Sequence, residues 1–254
     1  LFLYGYHPVR EALRHRPHEV ARVLVAASRT GRRREEIEDL CRRHQVACEV
    51  VPERRLTDLA GPAHNGLAAE VRHEAAQAAA PAASFETGAD PDLLVLLEDI
   101  QDPRNLGAVL RVCEGAGVGQ VLIRDRGSAP LSPTVAKTAA GASEWLPIER
   151  IVNAAQTLER LKAEGYWIYG TDPEGDAPWE VDLTGKVVLC FGGEEKGLRA
   201  LTRRVCDRLV GLPMCGRVGS LNISTAAAAV LYEAVRQRME KGGPAGLASP
   251  APNR

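Results

Sequence analysis

Three segments in the second half of the chain repeat one pattern: an apolar run, a short loop rich in Gly, Pro, Asn or Ser, then a helix-forming stretch. They are LEDIQDPRNLGAVLRVCEGAGV (97–118), VVLCFGGEEKGL (187–198) and LVGLPMCGRVGSLNISTAAAAVLYEAV (209–235). Apolar runs without polar alternation belong to strands covered on both faces, and strands that alternate with helices build parallel sheets. The pattern therefore predicts an α/β domain. In open α/β sheets ligands lie outside the carboxyl ends of the strands. The polar residues there, Asn105, Arg111, Glu194, Ser220 and Asn222, are expected to converge on one site.

Strands are expected at Leu93 to Leu97, Val121 to Ile123, Trp145 to Ile148, Tyr166 to Thr171, Val187 to Phe191 and Arg208 to Met214. Helices are expected between them at Pro133 to Gly141, Asn153 to Gly165 and Lys196 to Val205. The Asp102-Pro103 pair breaks the first strand, and Asn105 is placed to cap the helix after it. On that helix Leu106, Val109, Leu110 and Cys113 recur at helical spacing, while Arg111 lies about 140° from Leu106 at 100° per residue. Arg111 is thus off the packing stripe. Ser220 and Asn222 precede a long apolar helix, where either could serve simply as its cap.

The first 75 residues alternate on a smaller scale. A helix opens near Pro8, followed by a strand at Val20 to Ala26, an Arg/Glu-rich helix at Arg32 to His44, a strand at Val46 to Val51, a short helix at Pro52 to Leu59 and a strand at Leu67 to Val71. This reads as a compact α/β/α module over residues 1–75. Residues 76–91, AQAAAPAASFETGADP, read as a linker to a second domain at 92–241, and residues 242–254 as a disordered tail.

Several function classes fit poorly. GGEEKG lacks GxGxxG spacing, which argues against a nicotinamide enzyme on a doubly wound sheet, and no GxxxxGK[ST] occurs. All six histidines precede residue 75, so the second half cannot build a His-based triad or metal site. The six cysteines are scattered without a CxxC pair and read as reduced thiols, so no metal is expected. No apolar run reaches the roughly 18 residues of a membrane span, and the chain opens without a secretory pattern, which together point to a cytoplasmic protein. A net charge of -1 does not advertise a nucleic-acid partner. The cations are nevertheless mostly Arg, with clusters at Arg32, Arg33 and Arg34, at Arg42 and Arg43, and at Arg54 and Arg55. Arginine forks onto phosphate and stacks on bases, although the interleaved Glu35, Glu36, Glu38 and Asp39 fit a solvated helix face as well.

Taken together, DPRNLGAVLR, GGEEKGL and LPM…GSLNISTAAAAVLYE resemble, in order and spacing, the three motifs of the SpoU (TrmH) branch of the SPOUT RNA 2′-O-methyltransferases. The resemblance spans about residues 93–238. It implies a parallel sheet whose C-terminal segment threads a loop to make a deep trefoil knot, here over about residues 186–225, an exception to the rule against threading. YGYHPVREAL and AHNGLAAEV in the first module are similar to the L30e-like substrate-binding domain of enzymes that methylate guanosine in 23S rRNA.

That resemblance also implies a cofactor, a substrate and a set of residue roles. The cofactor is S-adenosyl-L-methionine, lined by Gly192, Leu212 and Leu221, with Thr171 and Met214 as secondary contacts. Arg111 acts at the ribose 2′-hydroxyl, with Asn105, Glu194, Ser220 and Asn222 holding it and the sugar. A free guanidinium is a poor general base, so Arg111 is expected to position a phosphate and stabilise the developing alkoxide. The substrate is rRNA, since DNA has no 2′-hydroxyl. Arg14, Arg16, Arg32, Arg33 and Arg34 are expected to grip it, and the enzyme to be a homodimer. An enzyme of the same branch directed to tRNA or to another rRNA, and a non-catalytic RNA-binding ribosome-assembly factor, are the competing readings.

Overall fold

The computed structural model describes residues 2–60, 64–72, 92–194 and 196–241. The linker expected at 76–91 and the tail expected at 242–254 lie outside the described residues. Contacts group the chain into two compact units, neither of them a single run of sequence. The first gathers Leu1–Gly88, Gln101–Glu114 and Ala129–Arg150, and the second gathers Ala89–Ile100, Gly115–Ser128 and Ile151–Arg254.

The first unit holds a four-stranded sheet of β1 (Phe2–Tyr4), β2 (Val20–Ala26), β3 (Ala47–Val51) and β4 (Leu67–Val71), in the order β1-β4-β2-β3. The pairs β1-β4 and β4-β2 are antiparallel, and β2-β3 is parallel. Side chains alternate across a strand, so β2 serves two cores. Val23 and Val25 join Val9, Ala12 and Leu13 of α1 (Tyr6–His15) and Ile37, Leu40 and Cys41 of α2 (Arg32–Arg43) on one face. On the other, Leu24 and Ala26 join Leu56 of α3 (Glu53–Ala60). The expected α/β/α sandwich is present.

Three later elements belong to this unit: α4 (Pro103–Gly115), α5 (Pro133–Thr138) and a 3-10 turn at Ala142–Glu144. Ala136 of α5 enters the α1/α2 core, and the Tyr4 hydroxyl lies 3.3 Å from Thr134 Oγ1. Buried Glu11 of α1 accepts from the Trp145 indole at 3.1 Å and from Arg10 Nε at 2.6 Å. Arg16 reaches the carboxylate of Glu144 at 2.5 Å. Burial pushes the Glu144 carboxyl above its ordinary range, and the Arg16 cation opposes that shift. Helix α4 meets α5 at Gly107, where a Cβ would stand 2.7 Å from both Thr138 Cβ and the Val135 carbonyl oxygen.

The second unit is built on a parallel sheet of β5 (Leu93–Leu97), β6 (Gln120–Arg124), β8 (Trp167–Asp176), β9 (Val187–Phe191) and β10 (Arg208–Val210). With β7 (Ile148–Ile151) the sheet order is β10-β8-β9-β5-β6-β7. Every residue of β5 and β9 is buried, as their uninterrupted apolar runs require. One face of the sheet carries α6 (Ala154–Ala163), whose Leu158 and Leu161 pack with Leu94, Leu96, Ile168 and Val188; Val205 of α7 (Ala200–Val205) joins them. Helix α8 (Ile223–Glu240) buries Ile223, Ala227, Val230, Leu231 and Ala234, a helical stripe. Much of the apolar run at 226–231 is therefore core, while Tyr232 is exposed.

Three expectations are corrected. Trp145 is not in a strand: Pro147 cannot donate to a ladder, so β7 starts at Ile148 and the indole turns to Glu11. Strand β10 ends at Val210, because Gly211 and Pro213 interrupt the run that was expected to reach Met214. Helix α7 begins at Ala200 and not Lys196, because Gly197 bridges back to Gly193 ahead of it.

Gly107→Ala places a methyl against backbone and a β-branched side chain that both must move. It is expected to destabilise the protein by about 1–3 kcal/mol, read as a lowered denaturant midpoint.

Candidate active site

The site begins with a buried charge. Strand β5 runs straight into Glu98, which is 1% exposed, and whose backbone N–H extends the ladder to the Phe191 carbonyl at 2.9 Å. A carboxylate taken out of water must be paired and hydrogen-bonded. Glu98 accepts from the Arg199 backbone N–H at 3.0 Å and from the Thr202 hydroxyl at 3.0 Å. The Arg124 and Arg199 guanidiniums each approach it at 3.9 Å. Next to it Asp99 takes Arg124 Nη1 at 2.9 Å and Arg199 Nε at 2.7 Å. Two carboxylates and two guanidiniums thus fasten the start of α7 to the end of β5.

This network dictates the loop after β9. The chain leaves Phe191 beside Glu98 and must return to Glu98 at Arg199, so GGEEKGL closes on itself. Gly197 N–H donates to the Gly193 carbonyl at 2.9 Å. A Cβ on Gly192 would overlap the backbone of Gly197 and Leu198, and one on Gly193 would lie 2.6 Å from the Asp99 carbonyl oxygen. Only glycine permits such backbone contact. Glu194 stands exposed on the loop.

A second loop faces the same sheet edge. Strand β10 pairs with β8 through Leu209 opposite Gly170, then shifts so that Val210 lies opposite Asp176. Residues 171–175 of β8 bulge out between those pairs, as Pro173 favours. Thr171 Oγ1 turns back to donate to the Cys190 carbonyl at 3.0 Å, and Asp172 pairs with Arg203. Beyond β10, Leu212 and Met214 are half-buried, while Ser220 and Leu221 are exposed, Leu221 by 43%. Asn222 caps α8: its Oδ1 accepts from Ser224 N–H at 2.9 Å and from Ser224 Oγ at 2.7 Å.

Strand β5 has β6 on one side and β9 on the other, so the chain order switches at this strand. The crevice outside such a switch point is where open α/β sheets hold ligands. Backbone-lined loops after β9 and β10, at that edge, suit a ligand recognised largely through main-chain groups.

Asn105 and Arg111 lie on α4, in the first unit, while Glu194, Ser220 and Asn222 lie in the second. Asn105 does not cap α4. Pro103 starts the helix, so Asp102 precedes it, its Oδ1 accepting from Arg104 N–H at 2.7 Å and its carbonyl from Leu106 N–H at 3.0 Å. Arg111 is exposed, as its off-stripe position requires. Among the expected RNA-gripping arginines, Arg14 pairs with Glu36 at 3.1 Å, Arg34 with Glu38 at 2.6 Å, and Arg16 with Glu19 and Glu144. Arg32 and Arg33 are exposed. Among the described residues no group of three or more His, Cys, Asp or Glu is arranged to hold a metal, and no helix is long and apolar enough to cross a membrane.

Residues 92–232 match the SpoU rRNA Methylase family, more than half of the chain. The chain belongs to this family. Residues 2–76 match the substrate-binding domain of RNA 2′-O ribose methyltransferases. Among curated relatives of this SpoU chain is the 23S rRNA (guanosine-2′-O-)-methyltransferase RlmB of Pseudomonas syringae pv. tomato, 37% identical over 95% of this chain and 98% of that protein. The RlmB of Xanthomonas axonopodis pv. citri is 39% identical over 94% and 97%. Among solved structures, the SpoU methyltransferase AviRb from Streptomyces viridochromogenes, in complex with AdoMet, superposes with a TM-score of 0.77 at 25% identity, covering 94% of this chain and 91% of that one. The SpoU motifs read from sequence are thereby supported. The Glu98, Asp99, Arg124, Arg199 and Thr202 network was not read from it, although two acidic residues directly after a wholly apolar strand were the available signal.

Thr202→Val keeps the side-chain volume but removes the hydroxyl from the buried Glu98 carboxylate. A loss of about 1–3 kcal/mol in denaturant unfolding is expected, and an unchanged unfolding curve would show the network to be dispensable.

Proposed function

We propose that this chain transfers a methyl group from S-adenosylmethionine to the ribose 2′-hydroxyl of a guanosine in 23S rRNA. The observation that carries this reading is the near-full-length similarity, at 37% and 39% identity, to two RlmB enzymes of that specificity. Similarity restricted to residues 92–232 would have left the RNA class open. The match over residues 2–76 to an RNA substrate-binding domain gives the chain a module for gripping RNA, and the RlmB relatives that span it favour rRNA over the tRNA-directed alternative.

The cofactor supplies an electrophilic methyl on sulfur, and the protein supplies orientation. Residues present at the sheet edge fit such a group. Backbone around Gly192 and at Leu212 and Leu221 would hold its adenosine and methionine portions, with Thr171 and Met214 beside them. The bulge at 171–175 and the Gly193–Gly197 bridge shape the backbone that would face it. We read the crossing of residues 186–225 as the family's trefoil knot; the return of Gly211 N–H to the Asp176 carbonyl at 2.8 Å, just past the β8 bulge, supports close threading there.

Arg111 carries the chemistry toward the RNA. A guanidinium keeps its proton at physiological pH, so its work is to fix the phosphate of the target nucleotide and to stabilise charge developing on the 2′-oxygen. Its exposure leaves it able to meet a substrate. Asn105, Glu194, Ser220 and Asn222 would position the sugar and that guanidinium. We further propose that the module at 1–75 grips rRNA through Arg14, Arg16, Arg32, Arg33 and Arg34. The domain at 92–241 performs transfer, and a second copy completes the site in a cytoplasmic homodimer. The ion pairs of Arg14, Arg16 and Arg34 leave Arg32 and Arg33 best suited to phosphate.

The test is tritium transfer from labelled S-adenosylmethionine to 23S rRNA, with the label recovered in alkali-resistant dinucleotides. Arg111→Ala is expected to lower turnover by about 10²–10³-fold while cofactor affinity holds within about twofold. A variant that methylates at the parental rate would remove Arg111 from the mechanism.

A further inference from the structure

The strongest unassigned feature is a cationic corner of the first unit where α1 begins. The Arg10 guanidinium lies 5.4 Å from the Tyr6 ring centroid and the Arg33 guanidinium 5.1 Å from it, both within cation–π range. The His7 ring meets the Tyr6 ring edge-on, with centroids 5.1 Å apart. Glu36 takes the Tyr6 hydroxyl and Arg14, and Glu11 takes Arg10. Arg33, by contrast, pairs with no carboxylate among the described residues, and its side chain is exposed.

This corner and Arg111 are linked through one helix. Gly107 of α4 rests on Val135 and Thr138 of α5, and Arg111, four residues on, projects from the same face of α4. On its other side α5 meets β1, where Thr134 touches the Tyr4 hydroxyl and the Lys137 ammonium lies 5.7 Å from the Tyr4 ring centroid. Tyr4 is two residues before Tyr6. The two cationic groups are therefore held by packed elements of a single unit and not by the linker alone. Their fields overlap at His7, where burial first, then Arg10 and Arg33, and more weakly Arg111, hold the imidazole below its ordinary pKa.

We infer that Tyr6, Arg10 and Arg33 form a phosphate subsite for RNA, gripping the backbone of nucleotides that flank the one presented to Arg111. The inference rests on the RNA-methylating function proposed above and deepens it. Of the arginines named from the sequence it keeps Arg33, and it adds Tyr6 and Arg10 in a corner of the same unit as Arg111.

The test is equilibrium binding of a 23S rRNA transcript across a range of KCl concentrations, together with methylation kinetics. Each phosphate contact to single-stranded RNA contributes about 0.7 to the slope of log affinity against log salt. Arg33→Ala is expected to flatten that slope by about 0.7 and Arg10→Ala/Arg33→Ala by about 1.4. Both should raise KM for the transcript several-fold and leave KM for S-adenosylmethionine unchanged. Arg33→Lys, which keeps the charge, should restore the slope, and Arg160→Ala, on α6 of the second unit, should match the parent. Arg10 pairs with buried Glu11, so Arg33→Ala decides alone wherever the double variant fails to fold. A parental slope and parental RNA KM in Arg33→Ala overturn the subsite. Wild-type protein that binds the transcript with an Arg33-dependent slope but transfers no methyl would overturn the proposed function and leave the subsite standing.

Discussion

A single carboxylate removed from water organises one edge of this sheet. Glu98 follows a strand buried on both faces, and desolvation leaves it no alternative to full pairing. Its partners include a backbone N–H at Arg199 and a hydroxyl at Thr202, both from the stretch of chain after β9. The loop between them is consequently short of room, and glycine at 192 and 193 is the only residue type that lets it close. Charge pairing thus sets the backbone path, and the backbone path sets which main-chain groups face the crevice.

The first unit relies on different contacts. Its sandwich is ordinary in its use of strand alternation, yet its core continues into α5, drawn from a segment more than fifty residues beyond the module. Glu11, Arg16, Glu144 and Trp145 join that junction with partly buried polar contacts, which are directional where apolar packing is not. Helix α4, which bears Asn105 and Arg111, is seated on α5 through Gly107. Asn105 and Arg111 are in this way part of the same unit as the module that matches a substrate-binding domain.

Much of this was legible in the sequence because it depends on local pattern. Uninterrupted apolar runs marked β5 and β9, and the 3.6-residue stripe put Arg111 outside the α4 core, whereas the closure of the loop after β9 was not read and a helix was expected from Lys196. What escaped depends on partners remote in the chain. Arg16 finds Glu144 and Trp145 finds Glu11 across more than a hundred residues, and no spacing rule reports such pairs. The re-pairing of β10 from Gly170 to Asp176 was also hidden, because Pro173 signals a break without saying where the neighbouring strand resumes. At the start of α4, Asn105 and Asp102 are both good caps by residue type, and only Pro103 in the first helical position separates them in favour of Asp102.

In this account a methyl donor is held by main-chain groups of two loops at one sheet edge. Amide hydrogen exchange with and without S-adenosylmethionine tests it directly, since a ligand bound to backbone slows exchange where it binds. The predicted result is new protection at residues 192–199 and at 211–222 together, with the first 72 residues unchanged. Protection confined to other segments, or to only one of the two loops, would contradict it.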